Sequence, residues 1–174
     1  MLIKKAYQYL FYKFYKMSAS APSKWWSEGK ASMAIGVLEI WTIISILIYY
    51  KILIDPSSNI MGTTIVWFII IIAITISDYF IFHYKNRWKN IISEFDKLPN
   101  KKNILGSWIV FGIVLIIIGN FIFSFYCLDQ QARKDQVGPY APEIVAKERR
   151  EDSLQKAKQI ENLKKIYGED KEQK

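Results

Sequence analysis

The sequence predicts an all-α membrane protein with three transmembrane helices, and three observations predict it. Apolar residues gather in three blocks, 31–54, 62–82 and 104–128. Basic residues flank alternate ends of these blocks, and aromatic residues mark their margins. Each block reaches roughly 20 residues, the length that crosses about 30 Å of hydrocarbon at 1.5 Å per residue. A helix of a small soluble protein seldom stays apolar on every face for so long. The overall apolar content of 51 % resembles that of soluble proteins, so the distribution and not the average carries the assignment.

The chain has 174 residues and a net charge of +8, which raises the question of nucleic acid. The placement of the charge answers it differently. Residues 1–32 hold Lys4, Lys5, Lys13, Lys16, Lys24 and Lys30 against Glu28 alone. Residues 83–103 hold Lys85, Arg87, Lys89, Lys97, Lys101 and Lys102 against Glu94 and Asp96, while the turn after the first block has only Lys51 and Asp55. The positive-inside rule then puts the N-terminus and 83–103 in the cytoplasm and the C-terminus on the far side. Attraction to anionic lipid at the cytoplasmic face accounts for the basic segments, and no nucleic acid is expected. The heavy use of Ile, Lys, Tyr and Asn fits an AT-rich bacterial genome, hence a bacterial inner membrane.

Residues 1–22 read as an amphipathic interfacial helix followed by a small-residue hinge. Ile3, Tyr7, Leu10, Phe14 and Met17 share a face, with Lys4, Lys5, Lys13 and Lys16 opposite. Such a helix lies in the headgroup layer or docks on a partner protein. Ala19-Ser20-Ala21 resembles a signal cleavage site, but Lys13 and Lys16 interrupt the apolar core that a signal peptide needs, so cleavage is not expected.

The three-helix domain occupies 23–128. Trp25, Trp26, Trp88 and Trp108 are the expected interfacial anchors. Asp55-Pro56-Ser57-Ser58-Asn59 forms a turn too short for anything but antiparallel neighbours. The second helix is expected to continue as a cytoplasmic amphipathic segment over 84–98, with Trp88, Ile91, Ile92, Phe95 and Leu98 on one face, until Pro99-Asn100 stops it. Residues 129–174 form a charged tail outside the membrane, with eleven basic and ten acidic residues and a polar helix from Pro142 to Gly168. Its apolar residues recur every three positions, so they spiral and make no coiled-coil seam.

The juxtamembrane stretch W-K-N-I-I-S-E-F-D-K-L-P-N-K-K-N, 88–103, resembles a set of uncharacterised small bacterial inner-membrane proteins with a similar E-F-D-K-L-P segment. The resemblance runs from the N-terminal Tyr/Lys-rich helix to Leu128, supports a membrane location and implies no activity.

Glu39 and Asp78 form a candidate intramembrane polar pair, both roughly 7–10 Å inside the same leaflet. A charge at mid-membrane costs on the order of 2.5–3.5 kcal/mol, so such residues face the bundle interior and find partners. Three readings stand side by side. The acids snorkel toward water or to Lys30 and Arg87, they anchor a basic residue of another protein, or they handle protons or cations.

Candidate helix-packing positions are Ser32, Gly36 and Thr42 beside Glu39, Ala73 and Ser77 on the second helix, and Gly112, Gly119 and Asn120 on the third. One histidine, His83, and one cysteine, Cys127, are too few for a metal site or an intrachain disulfide. No catalytic or cofactor motif is found, so neither an enzyme nor a bound cofactor is expected. The expected function is an accessory, assembly or scaffold subunit that binds another membrane protein or itself. An immunity protein against a membrane-active toxin and an oligomeric channel or proton-coupled component are the alternatives.

Overall fold

The computed structural model describes residues 2–23, 25–56, 58 and 62–169. Lys24, Ser57 and Asn59 of the expected flank and turn lie outside them, as do the last charges of the tail. Among the described residues every regular element is helical: α1 (Leu2–Ser20), α2 (Ser27–Leu53), α3 (Thr64–Asp78), α4 (Arg87–Asp96), α5 (Asn100–Asp135) and α6 (Pro142–Glu169). Three stretches are long and apolar enough to cross a membrane: Ser27–Leu53, Thr64–Asp96 and Asn100–Tyr140, with mean hydropathy 2.1, 2.4 and 2.5. That fits a multi-pass membrane protein.

The chain divides into two compact units, 1–126 and 127–174. In the first unit the tightest packing lies at one end, where α1 rests on α2 and α4. Phe11, Tyr12, Ala31, Ile35, Phe82, Ile91 and Phe95 form its buried cluster. Phe82 is the keystone. It stacks on Phe11 with ring centroids 4.3 Å apart and on Tyr7 at 5.2 Å. Tyr7 and Phe11 are four apart, so one helical face presents both rings.

The face that α1 buries keeps Tyr7, Leu10 and Phe14 of the expected stripe against the cluster but is rotated from it. It centres on Phe11, one position on from Leu10, and leaves Ile3 and Met17 at the stripe's two ends exposed. Stacking on Phe82 decides this rotation, because aromatic pairs add energy beyond the area they bury. Three lysines of α1 face α4 and the start of α5. Lys5 meets Glu94 at 3.1 Å, Lys16 meets Asp96 at 2.8 Å, and Lys13 donates to the backbone carbonyl and side-chain oxygen of Asn103. Burial lowers the Lys13 ammonium from its ordinary value, and burial together with a hydrogen bond to Asp96 pushes the Tyr12 phenol up to about 12.

The second apolar helix does not run on into the amphipathic segment. After Asp78 the chain widens into a π-helical turn, Tyr79–His83, then a 3-10 turn, Tyr84–Asn86. Lys85 and Asn86 both take left-handed backbone, with φ of 53° and 55°, and this kinks the chain ahead of α4. In the π turn the Tyr84 amide bonds to Tyr79, which leaves the Phe80 carbonyl to be taken by the Arg87 guanidinium at 2.9 Å. The apolar face of α4 then docks on α1: Ile91 and Phe95 are buried, and Trp88, Ile92 and Leu98 pack against the cluster. Trp88 pairs with Tyr15 at 5.9 Å, so within this fold it is a packing residue.

α5 begins before and ends after the expected 104–128. It touches α1 and α2 through large side chains. Trp41 stacks on Phe121 at 5.0 Å, and the Tyr49 hydroxyl donates to Asn120 at 3.0 Å. At its start, Gly106 lies under Tyr9, and a Cβ there would come within 2.2 Å of the Tyr9 hydroxyl. That hydroxyl reaches the side-chain and backbone oxygens of Asn103 at 3.1 and 3.2 Å. Gly106→Ala should swing Tyr9 off Asn103. The cost is then that of a lost hydrogen bond, about 0.5–1.5 kcal/mol, readable as a lower melting temperature in detergent.

The second unit contains the end of α5, a 3-10 turn at Gly138–Tyr140, and α6. Asp129 ties the turn down, accepting from Tyr140 at 2.6 Å and from Arg133 at 2.9 Å. α6 is exposed at nearly all of its described positions and carries i,i+4 pairs such as Asp152–Lys156 and Glu161–Lys165. Such pairs support an isolated helix by a few tenths of a kcal/mol each, roughly 0.2–0.5.

Candidate functional site

α2 and α3 are antiparallel neighbours, and each brings an acid to the same level. Glu39 and Asp78 meet at a third residue, Tyr7 of α1. The phenolic oxygen lies 2.5 Å from Oε1 of Glu39 and 2.7 Å from Oδ1 of Asp78. Asp78 is buried and Glu39 half-buried.

Burial first, and then the two carboxyl contacts, hold the Tyr7 phenol well above its ordinary range, so it keeps its proton and donates. A phenol has only one proton to give. Tyr7 therefore donates to one carboxyl oxygen at a time, with the other within hydrogen-bond reach. Two carboxyls this close repel each other when both are ionised, so a phenol shared between them eases their burial.

The two basic residues expected to meet the acids are spent elsewhere. Lys30 donates to the backbone carbonyl and hydroxyl of Ser23 at 2.7 Å, and Arg87 takes the Phe80 carbonyl. Snorkelling to these cations is replaced by an internal phenol.

The expected polar stripe on α2 splits between two hollows on either side of this triad. Glu39 and Thr42 line a cavity of about 480 Å³ with Tyr7, Ala73, Ser77 and Ile117. Ser32 and Gly36 line a groove of about 500 Å³ with Asp78 and His83. Ser32 Oγ lies 2.9 Å from Nε2 of His83 across its end. Farther along α2, Ser45 lies 3.5 Å from Ser124 of α5 and Tyr49 meets Asn120.

Gly112 and Gly119 have nothing within 4 Å of where a Cβ would stand, so among the described residues no neighbour packs against them. Trp25 and Trp108 are largely exposed, while the Trp26 indole covers Gly29. Among the described residues no group of three or more His, Cys, Asp or Glu is arranged to hold a metal ion.

Sequence reasoning missed Tyr7, Gly29 and Gly106. Tyr7 carried a usable signal: it is the one tyrosine on an otherwise purely apolar stripe, and a buried phenol seeks a hydrogen-bond partner. The two glycines carried none, because each is required by a ring that only the fold brings over it. No protein-family model matches the chain, and no curated protein or solved structure matches it.

Proposed function

We propose that this protein is an accessory or assembly subunit of a membrane complex, embedded with its N-terminus in the cytoplasm and its charged tail outside. The observation that carries this reading is the contrast between the two ends of the first unit. At the α1/α4 end, aromatic stacking fixes the structure. Elsewhere, the most apolar stretches of the second and third spans are only 11 % and 6 % buried within the chain, against 28 % for the first. On α5 the glycines Gly112 and Gly119 stand open beside exposed Ile116 and Ile122. Small residues let helix backbones approach in lipid, and among the described residues no helix uses these two.

In this reading α1 and α4 make a cytoplasmic platform, with the outer face of α1 meeting anionic headgroups. α6 is a charged helix outside the membrane. A photocrosslinking amino acid at Ile116, in cells of the native host, should yield a protein adduct of discrete mass. Adducts with lipid alone, from Ile116 and from Ile122, would contradict the assembly reading.

The orientation is testable separately. In a Cys127→Ser background, a cysteine at Ser58 or Ser153 should react with a membrane-impermeant thiol reagent in intact cells. A cysteine at Asn100 should react only after the membrane is broken, and labelling of it in intact cells would reverse the topology.

A second reading, a proton-coupled component of an oligomer, draws support from polar groups strung along α2. Glu39, Thr42, Ser45 and Tyr49 follow one another at three- and four-residue steps. Native mass in detergent distinguishes it, because a monomer cannot enclose a path with three helices.

A further inference from the structure

The groove between α2 and α3 opens on the side away from α1, which contributes no residue to its lining. Its walls are almost entirely apolar, and Met33, Val37 and Ile71 are exposed along it. Ser32 and Gly36 line α2 four residues apart, and at Gly36 a visitor can approach the helix backbone, whereas Gly29 lies under the Trp26 indole. A Cβ on Gly36 would meet only Ile74 at 3.8 Å and Oδ2 of Asp78 at 4.0 Å. The carboxyl of Asp78 thus has two faces. Oδ1 is engaged by Tyr7, and Oδ2 lies beside the groove.

We propose that this groove receives a transmembrane helix of a partner protein bearing a lysine or arginine at the level of Asp78. The proposal rests on the assembly reading and names its site and its chemistry. A purely apolar occupant would leave Oδ2 facing hydrocarbon, whereas a cation completes its coordination. An intramembrane lysine or arginine is costly on a lone helix, and a carboxylate across the interface offsets much of that cost.

Depth separates a helix from a lipid amine. Gly36 lies seven residues beyond Gly29, about 10 Å along α2, below the level at which a headgroup would rest. A helix delivers its cation at any depth that its sequence dictates. The Trp26 indole at the groove's end adds an aromatic face along which such a side chain can pass.

The test uses the full chain in phosphatidylcholine vesicles and two leucine-rich transmembrane peptides of about 20 residues. One carries a single lysine two turns from its end, the other none, and both carry an acceptor for tryptophan fluorescence. Energy transfer should show the lysine peptide binding at least about tenfold more tightly than the all-leucine peptide. Gly36→Leu, which fills the groove without touching Tyr7, should abolish binding while hydrogen exchange in α1 stays unchanged. Asp78→Asn should remove the preference for lysine.

Equal binding of the two peptides, a lysine preference that survives Gly36→Leu, or one that survives Asp78→Asn would each overturn the proposal. Phospholipid that co-purifies with the wild-type chain but not with Gly36→Leu, and that both peptides fail to displace, would overturn it in favour of a lipid. Crosslinks from Ile116 that persist beside any of these outcomes leave the assembly reading standing and the groove excluded from it.

Discussion

Replacing Tyr7 with phenylalanine should weaken the docking of α1 by about 1–3 kcal/mol, the range for leaving buried polar groups without their partner. The ring's stacking on Phe82 survives the change. What is lost is the one donor shared by Glu39 and Asp78. At about 1.4 kcal/mol per factor of ten, hydrogen exchange in α1 should accelerate by roughly 5- to 150-fold, with α2 and α5 little affected. Glu39→Gln and Asp78→Asn should be milder, because an amide still accepts from the phenol. Glu39→Leu should approach Tyr7→Phe in effect, and combining the two should add little, since both remove the same interaction. Full additivity in that double-mutant cycle would mean that the contact contributes nothing.

The largest stability effect should come from Phe11→Ala. Both Phe11 and Phe82 are fully buried and stacked on each other. Truncating a buried phenylalanine costs about 3–5 kcal/mol, from lost transfer energy and from the cavity left behind. That rivals the whole stability of many small domains, so α1 should detach and α4 should lose its floor with it. Phe82→Ala should do the same from the other side, and the pair should be strongly non-additive. Limited proteolysis between α1 and α2 reads both, with cleavage expected in the variants under conditions that leave wild type intact. Equal resistance in Phe11→Ala and wild type would show that α1 is held by something other than this stack.

The three spans were legible because length and hydropathy are local properties of sequence. So was the meeting of Glu39 and Asp78: a short turn forces α2 and α3 to be antiparallel, and equal depth then aligns the acids. What could not be read depends on a long-range choice. Tyr7, the one tyrosine on an apolar stripe, hints at a hydrogen-bond partner, but nothing in residues 1–22 reveals which floor α1 docks on. The rotation of α1 by one position, from Leu10 to Phe11, follows from a ring on Phe82. Phe82 faces α1 from a π turn that no hydropathy pattern announces. Likewise, Lys30 and Arg87 were plausible cations for the acids by proximity along the chain. Both are taken by nearer oxygens, of Ser23 and Phe80, which the sequence does not order by distance.

α1 is docked through its phenol on α2 and α3. Cysteines at Leu10 on α1 and Ile35 on α2, which line the same cavity, test this most directly. In native membranes and a Cys127→Ser background, a short bifunctional thiol reagent should link them within one chain in high yield, with the yield falling sharply when Tyr7→Phe is added. Absence of the crosslink in membranes, with both thiols shown to be reactive, would contradict the docked helix and the triad that depends on it.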